Sequence, residues 1–324
     1  MHKKIWLLTA ILLIFIAIFA GCSKKDEGEV FPETTPPMTD ESDELIRETI
    51  VYYEDDAGYL VPVMRKIPWV EGIAKYTLRI MMDTPEQQED LLMMGLRPLL
   101  PADTEILGMS IADGVAKLDL NEAVLNCEDA AKESNMIQGI VLTLTEFSTI
   151  DKVQFMFNGK ILDKMPHGTV VKDPIGPTDV NLEMAEDTTA QGATVRVFFQ
   201  STSSTLYDYL IPVTRVTSSQ NASLETTINE LLKGPMDTDN MTIDIPPDTK
   251  LLGIQMDGGV TYINFSKEFN GIANSEDSEA MTIKAIKLSA MQHPEVEKVE
   301  LLVEGKPYSG TASLDNEPVF ANEW

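Results

Sequence analysis

LPADTEILG, Leu100–Gly108, returns further along the chain as IPPDTKLLG, Ile245–Gly253. Setting residue n against n + 145 matches Pro101 with Pro246, Asp103 with Asp248, Thr104 with Thr249, Leu107 with Leu252, Gly108 with Gly253, Gly114 with Gly259 and Val115 with Val260. With small insertions, VYYE from Val51 answers VFFQ from Val197, and VPVMR from Val61 answers IPVTR from Ile211. FNGK from Phe157 likewise answers VEGK from Val303. A period this long marks duplicated domains, not a solenoid of small units.

The second unit is the clearer to read. Val195–Gln200 and Leu210–Val216 are β-branched and aromatic runs, which predict strands. Leu224, Ile228, Leu231 and Leu232 recur at helical spacing until Gly234-Pro235 stops them. Two further strands flank Gly258-Gly259, a pair suited to the positive φ of a tight hairpin. Met281, Ala285 and Leu288 mark a second helix, and VEKVELLVEG supplies the last strand. In the first unit Ile73, Tyr76, Thr77, Ile80 and Met81 predict the first helix, and Met136, Ile137, Ile140, Val141 and Leu144 the second. Each unit is therefore expected to be β-β-α-β-β-α-β, an α+β layer pair in which helices cover one face of a mixed sheet.

The repeated turn is read as scaffold. Asp103 and Asp248 stand in Pro-x-Asp-Thr before a strand, where a carboxylate can accept backbone N–H groups and fix an Asx-type turn. Gly108 and Gly253, inside strands, predict a bulge or a close backbone approach. Gly114 and Gly259 serve the hairpin.

Lys3 and Lys4 precede an apolar run from Ile5 to Phe19 that ends in Ala20, Gly21 and Cys22. The run is short for a membrane span and reads as a secretory signal peptide, residues 1–21, with a cysteine placed as in a bacterial lipobox. Cys22 is thus the expected lipidation site and the contact with the membrane. Several acyl chains, at about 0.8 kcal/mol per buried CH₂, would hold the chain stably on the outer surface. Residues 22–48, rich in acid, Thr and Pro, read as a flexible tether. Such a coil reaches roughly 5–6 Å times the square root of its length, some tens of ångströms. The first unit then occupies 49–168, a linker 169–192, the second unit 193–311 and a tail 312–324.

The formal charge is −27, and removal of the signal peptide with its two lysines makes the chain more acidic still. Such an excess argues against nucleic acid and against anionic lipid as partners. Apart from Cys22 only Cys127 remains, so no intramolecular disulfide is expected, and Cys127 is expected to be buried or near a helix start without a catalytic role.

The strand and helix order, LLKGP at Leu231–Pro235, the P-D-T-x-L-L-G turn into the hairpin, and the closing NGK and EGK turns resemble the GerMN domain family, from about Thr49 to Gly310. The first unit departs in reading MMGLRP, Met93–Pro98, and in about a dozen extra residues between Pro62 and Pro98. The resemblance implies a lipoprotein of sporulation and later germination, on the mother-cell membrane facing the forespore. The core of each unit is similar to ring-building motifs of secretion systems, which by analogy implies lateral assembly, self-association, and partners among sporulation envelope or channel proteins.

No catalytic motif is present: no G-x-S-x-G, no H-E-x-x-H, no P-loop. His167 and His293 do not align under the repeat and are expected to be solvated. With 52 acids in the chain, adjacent carboxylates arise by chance, and Glu54-Asp55-Asp56 faces Gln200-Ser201-Thr202 in the other unit. Asp237, Asp239, Asn240 and Asp244 lack the order of an EF-hand. No catalytic, cofactor or metal residue is therefore expected. The alternatives are a peptidoglycan- or ligand-binding module, with Tyr52, Tyr53, Tyr59, Tyr207 and Tyr209 stacking on sugars, and a cell-wall hydrolase.

Overall fold

A computed structural model describes residues 46–184, 192–272, 276–310, 312 and 318–324. The signal peptide, Cys22 and all but the end of the tether lie outside the described residues. Residues 44–324 form one compact unit that contains both repeats.

Repeat one opens with β1 (Ile46–Glu54) and β2 (Leu60–Pro68), an antiparallel hairpin in which Ile46 pairs with Pro68 and Glu54 with Leu60. Two short helices follow, α1 (Ile73–Arg79) and α2 (Pro85–Leu92). The extra residues of this repeat build α2: Thr84 caps it by accepting the Gln87 N–H, and Pro85 supplies a preset φ at its first position. Then come β3 (Ile106–Ala112), β4 (Val115–Leu120), α3 (Ala130–Thr145) and β5 (Lys152–Phe157). β3 and β4 are antiparallel, and β4 and β5 parallel, a mixed three-stranded sheet with β3 at its edge.

Repeat two follows the same order without α2. β7 (Thr194–Thr202) and β8 (Asp208–Val216) are the hairpin, and α4 (Leu224–Leu232) is the first helix, capped by Ser223. β9 (Leu251–Asp257), β10 (Val260–Phe265), α5 (Glu276–Ala290), β11 (Lys298–Val303) and the short β12 (Lys306–Pro307) complete it. The mixed sheet runs β12-β11-β10-β9, with β9 at the edge.

The architecture is α+β and duplicated, with one refinement. The opening hairpin of each repeat is not hydrogen-bonded to its mixed sheet. In repeat one α3 packs on β1 and on β5, so the helix lies between the hairpin and the sheet. The apolar face read at Met136, Ile137, Ile140, Val141 and Leu144 is buried there. One apolar cluster runs through both repeats, from Val51 and Phe155 to Phe199 and Phe265.

The repeated turn forms twice with the same bonds. Thr104 N–H donates to Pro101 C=O (3.1 Å) and Thr249 N–H to Pro246 C=O (2.9 Å). These turns are closed by backbone, and no hydrogen bond to the Asp103 or Asp248 carboxylate occurs among the described residues, which corrects the Asx reading. A four-residue turn with its own backbone bond needs no side-chain acceptor. The sheet register shifts between Ile106 and Gly108 and between Leu251 and Gly253, so Leu107 and Leu252 are the extra residues of two equivalent bulges.

Asp113 (φ 51°) and Gly114 (φ 74°) form one hairpin turn, Gly258 (58°) and Gly259 (83°) the other. A Cβ on Gly114 would lie 2.1 Å from Asp151 Oδ2, whereas one on Gly259 meets nothing within 4 Å. Gly259→Ala is expected to cost about 1 kcal/mol, from the left-handed backbone alone, and Gly114→Ala about 2 kcal/mol, because Asp151 must also move. Urea unfolding of the two variants checks the order.

Candidate functional site

Nothing in the repeated turn gathers reactive groups, whereas buried polar side chains converge where the repeats meet. The contact starts from Pro62 and Pro212, which occupy equivalent places in β2 and β8. Proline carries a C=O but no N–H, so a further strand cannot pair regularly along that edge. Asparagine side chains take its place. Asn322 Nδ2 donates to Pro62 O and Leu210 O, both 2.8 Å, while its Oδ1 accepts Leu210 N–H at 2.8 Å. Asn181 Nδ2 donates to Pro212 O and Leu60 O, both 2.8 Å, and its Oδ1 accepts Leu60 N–H at 2.9 Å. Leu60 thus lies beside Pro212 and Pro62 beside Leu210, so the two strands run antiparallel about a local pseudo-twofold axis.

The residues after each asparagine continue the exchange. β6 (Leu182–Met184), which follows repeat one, pairs parallel with β8 of repeat two. Glu323, after repeat two, bridges in parallel to Met64 of β2 in repeat one. The described parts of the linker and the tail, residues 169–184 and 318–324, therefore act as reciprocal straps, each packing on the other repeat. Their polar composition hides the packing, because a few residues do the work: Val171 and Val180 are fully buried and Asn322 is nearly so.

The arginines of VPVMR and IPVTR lock the straps. Arg215, 2% exposed, donates to Glu183 Oε2 of β6 (Nε 3.1 Å, Nη2 2.6 Å) and to the carbonyls of Glu230 and Gly234 at the end of α4, both 2.9 Å. Its guanidinium carbon stands 5.3 Å from the Phe199 ring centre. Arg65, its counterpart, stands 5.9 Å from the Tyr53 centre and pairs with Asp90, which also accepts the Trp324 indole N–H at 2.9 Å. Tyr59 and Tyr209 add a matched pair of bonds, to Asp237 Oδ2 (2.6 Å) and Asp55 Oδ2 (3.0 Å) of the opposite repeat. The Tyr59 hydroxyl beside Asp237 holds that carboxyl below the usual range, whereas burial pushes Asp55 up.

These contacts occupy the tyrosines proposed above for sugar stacking. Tyr52, Tyr53 and Tyr209 are buried, Tyr59 is bonded to Asp237, and Tyr207 donates to Glu323 O at 3.4 Å. His293 departs from the expected solvated state, being half-buried with Nε2 2.8 Å from Thr227 Oγ1. His167 Nε2 lies 2.9 Å from Cys127 O. Cys127 is half-buried, its thiol pointing to Val124 O at 3.6 Å, and burial pushes the thiol pKa up. Asp237 caps its own loop, accepting Asp239 and Asn240 N–H. Among the described residues no group of three or more His, Cys, Asp or Glu side chains could hold a metal.

A residue pair missed in the sequence is Glu133 on α3 and Glu279 on α5, both fully buried. Glu133 accepts the His167 N–H (2.8 Å) and the Thr169 N–H (2.9 Å), and Glu279 accepts the Ala312 N–H (3.2 Å), so each anchors the segment leaving its repeat. An acid recurring in the first turn of the helix, at the fourth position of each, was the available signal. Against a burial penalty, those N–H groups hold Glu133 below the ordinary glutamate value of 4.5. A carboxyl depressed on folding stabilises above its unfolded pKa and loses that contribution as pH falls through the folded one. Glu133→Gln is expected to cost about 2–3 kcal/mol at neutral pH, and the gap from wild type should close on acidification, as urea titrations across pH would show.

Beside the seam lies a cleft of about 710 Å³, lined by residues of both repeats, among them Glu54, Leu92, Arg97, Lys132 and Thr205. Lys132 is paired with Glu54 and Arg97 with Asp56. Leu92, Met93 and Leu206 are exposed, and Thr205 Oγ1 donates to Met93 O at 2.6 Å.

Two α+β repeats strapped into one body define a tandem-repeat protein whose shared elements are structural. The profile of the Germane family, described as sporulation and spore germination, matches residues 50–163 and 196–309, and the chain belongs to this family. It is 32% identical over 294 residues to the spore germination protein GerM of Bacillus subtilis (strain 168), a match spanning 88% of this chain and 78% of that protein. The solved tandem GerMN domains of the sporulation protein GerM from Bacillus subtilis align with a TM-score of 0.72 at 27% identity, covering 86% of this chain and 99% of that one.

Proposed function

We propose that this chain is a non-enzymatic lipoprotein of the sporulating cell envelope, lipid-anchored through Cys22 on the outer face of the mother-cell membrane and serving as a scaffold at the interface with the forespore. The carrying observation is the seam: its buried polar residues hold two repeats in one body, and none of them converges on a reactive position. Kinship with GerM supports the sporulation setting and a later role in germination. The lipobox-like Ala20-Gly21-Cys22 supports the anchor. The likeness of each repeat's core to ring-building motifs supports lateral assembly with envelope or channel proteins.

The test is the position of a fluorescently tagged chain in sporulating cells, with and without Cys22→Ala. Accumulation at the engulfing septum that is lost in Cys22→Ala is the expected result. Uniform distribution around the cell, or septal accumulation unaffected by the substitution, would overturn the reading. The peptidoglycan alternative no longer has its tyrosines free, and failure of the purified body to be retained on cell wall at moderate salt would dispose of it.

A further inference from the structure

The turns of the β1–β2 and β7–β8 hairpins are closed by the same four bonds, so the duplication allows them to be compared atom by atom. In repeat one Asp55 N–H donates to Tyr59 C=O and Gly58 N–H to Asp55 C=O, while the Asp55 carboxylate accepts the Ala57 and Tyr59 N–H groups. In repeat two Ser203 N–H donates to Tyr207 C=O and Leu206 N–H to Ser203 C=O, while the Ser203 hydroxyl accepts the Thr205 and Tyr207 N–H groups. Gly58 and Leu206 thus hold the same place in the turn, and both are left-handed, with φ of 88° and 64°. Glycine takes that conformation freely, whereas a leucine there crowds the backbone. Burial does not offset the strain: Leu206 is 85% exposed and joins none of the apolar clusters among the described residues. A strained residue whose side chain gains nothing inside its own fold is poised for a contact outside it.

The leucine does not stand alone. The Thr205 bond to Met93 O brings the turn against the end of α2, the helix that repeat two lacks. There Leu92 and Met93 are 63% and 62% exposed, and Leu92 and Thr205 both line the cleft of about 710 Å³, a volume within the usual range of binding sites. Glu54 and Arg97, also in its lining, exchange both backbone bonds with each other. A visiting chain cannot pair with them as a strand, so a helix, which satisfies its own backbone, suits the surface better. Charge then chooses the occupant. Lys132 and Arg97 are already paired with Glu54 and Asp56, whereas the other two acids of the lining, Asp83 and Glu128, are exposed and in no ion pair among the described residues. Uncompensated acid disfavours an anionic lipid surface and a second copy of a chain whose formal charge is −27. It also disfavours residues 23–45, which precede β1 and are rich in acid, with Lys24 and Lys25 their only cations.

We propose that the exposed patch of Leu206, Met93 and Leu92, with the cleft beside it, docks a basic amphipathic helix of a partner protein. The apolar face of that helix covers the patch, and its Lys or Arg side chains reach Asp83 and Glu128. The contact gives the scaffold reading of the previous subsection a specific surface and a partner of stated chemistry. It rests on that reading only for its role in the cell, since the docking is a property of the isolated body.

The body from Glu44 to Trp324 is a compact unit, and its counterpart in GerM was solved as the tandem domains alone, so it can be measured by itself. The probe is a fluorescent peptide of about 14 residues, four helical turns with leucine on one face and lysine on the other, followed by anisotropy. Saturable binding is expected, weakened at least tenfold when serine replaces the leucines or glutamate the lysines. Leu206→Gly should weaken it at least tenfold while the thermal midpoint of the free body stays the same or rises, because glycine relieves the left-handed strain. Asp83→Asn combined with Glu128→Gln should weaken binding and flatten its salt dependence. No binding, binding indifferent to Leu206→Gly, or a lowered midpoint in that variant would each overturn the proposal, the last by showing that the leucine packs within its own fold. Self-association in sedimentation velocity or retention on phosphatidylglycerol vesicles, if lost in Leu206→Gly, would assign the patch to another occupant and overturn it too. So would loss of peptide binding when residues 23–43 are restored to the body. None of these outcomes bears on whether the chain localises through Cys22, so failure here is distinguishable from failure of the envelope reading.

Discussion

Asn322→Ala is expected to destabilise the body by about 3–5 kcal/mol, as large an effect as a core truncation, although only Glu323 and Trp324 follow it in the sequence. The alanine would leave Leu210 N–H, Leu210 C=O and Pro62 C=O without the partners that Asn322 gives them. Each buried group left unpaired costs about 1–3 kcal/mol, and shared relaxation keeps the total below the simple sum. Pro62 cannot recruit a neighbouring strand instead, because its own ring removes the donor that a ladder would use. Asn181→Ala should behave alike at the other end of the seam, and the double variant should lose the cooperativity between repeats. Guanidinium unfolding followed by circular dichroism is the measurement. A loss under about 1 kcal/mol for Asn322→Ala would mean that the strap is decorative.

Arg215→Ala is expected to cost about 3–5 kcal/mol, the range for removing one partner from a buried ion pair. The substitution strands the Glu183 carboxylate, whose side chain is 10% exposed, leaves Glu230 with Lys233 as its remaining cation, and uncaps the carbonyls at the end of α4. Arg65→Ala removes the equivalent guanidinium but should cost less, about 1–2 kcal/mol, because the Asp90 side chain is 31% exposed and water can take the arginine's place. Thermal and chemical denaturation of both variants would test the ranking; the reverse order would mean that burial does not set the strength of these clamps.

The parts of the fold legible in the sequence are those written in local pattern. LPADTEILG and IPPDTKLLG show the duplication, the Gly pairs show the hairpins, and the helical spacing of Ile228, Leu231 and Leu232 shows α4. The seam was illegible because its determinants are distant in sequence and individually unremarkable. Asn181 acts on Leu60, 121 residues away, and Asn322 on Pro62, 260 residues away. Neither sits in a periodic run, and they fall in stretches that read as a linker and a tail. The prolines were visible as a repeated pair, but a missing donor announces only that something other than a strand must satisfy the edge. Glu133 and Glu279 were hidden by abundance, two acids among many, and only alignment of the second helices separates them from solvated neighbours. In the turn the residues were found and their mechanism misread, because a carboxylate beside a turn and a turn closed by its own backbone leave the same letters.

The hairpin of β1 and β2 holds both ends of the described chain: Ile46 starts it, and Glu323 bridges to Met64 on its second strand. A pull applied along a tether would enter the molecule at β1 and meet, one strand away, the chain's own last residues. Nine paired positions of β1 and β2 would carry that tension in shear, while the β9 edge and the cleft stay outside the load path. A body of this form would pass a load entering at Ile46 through its hairpin without its other surfaces registering the force.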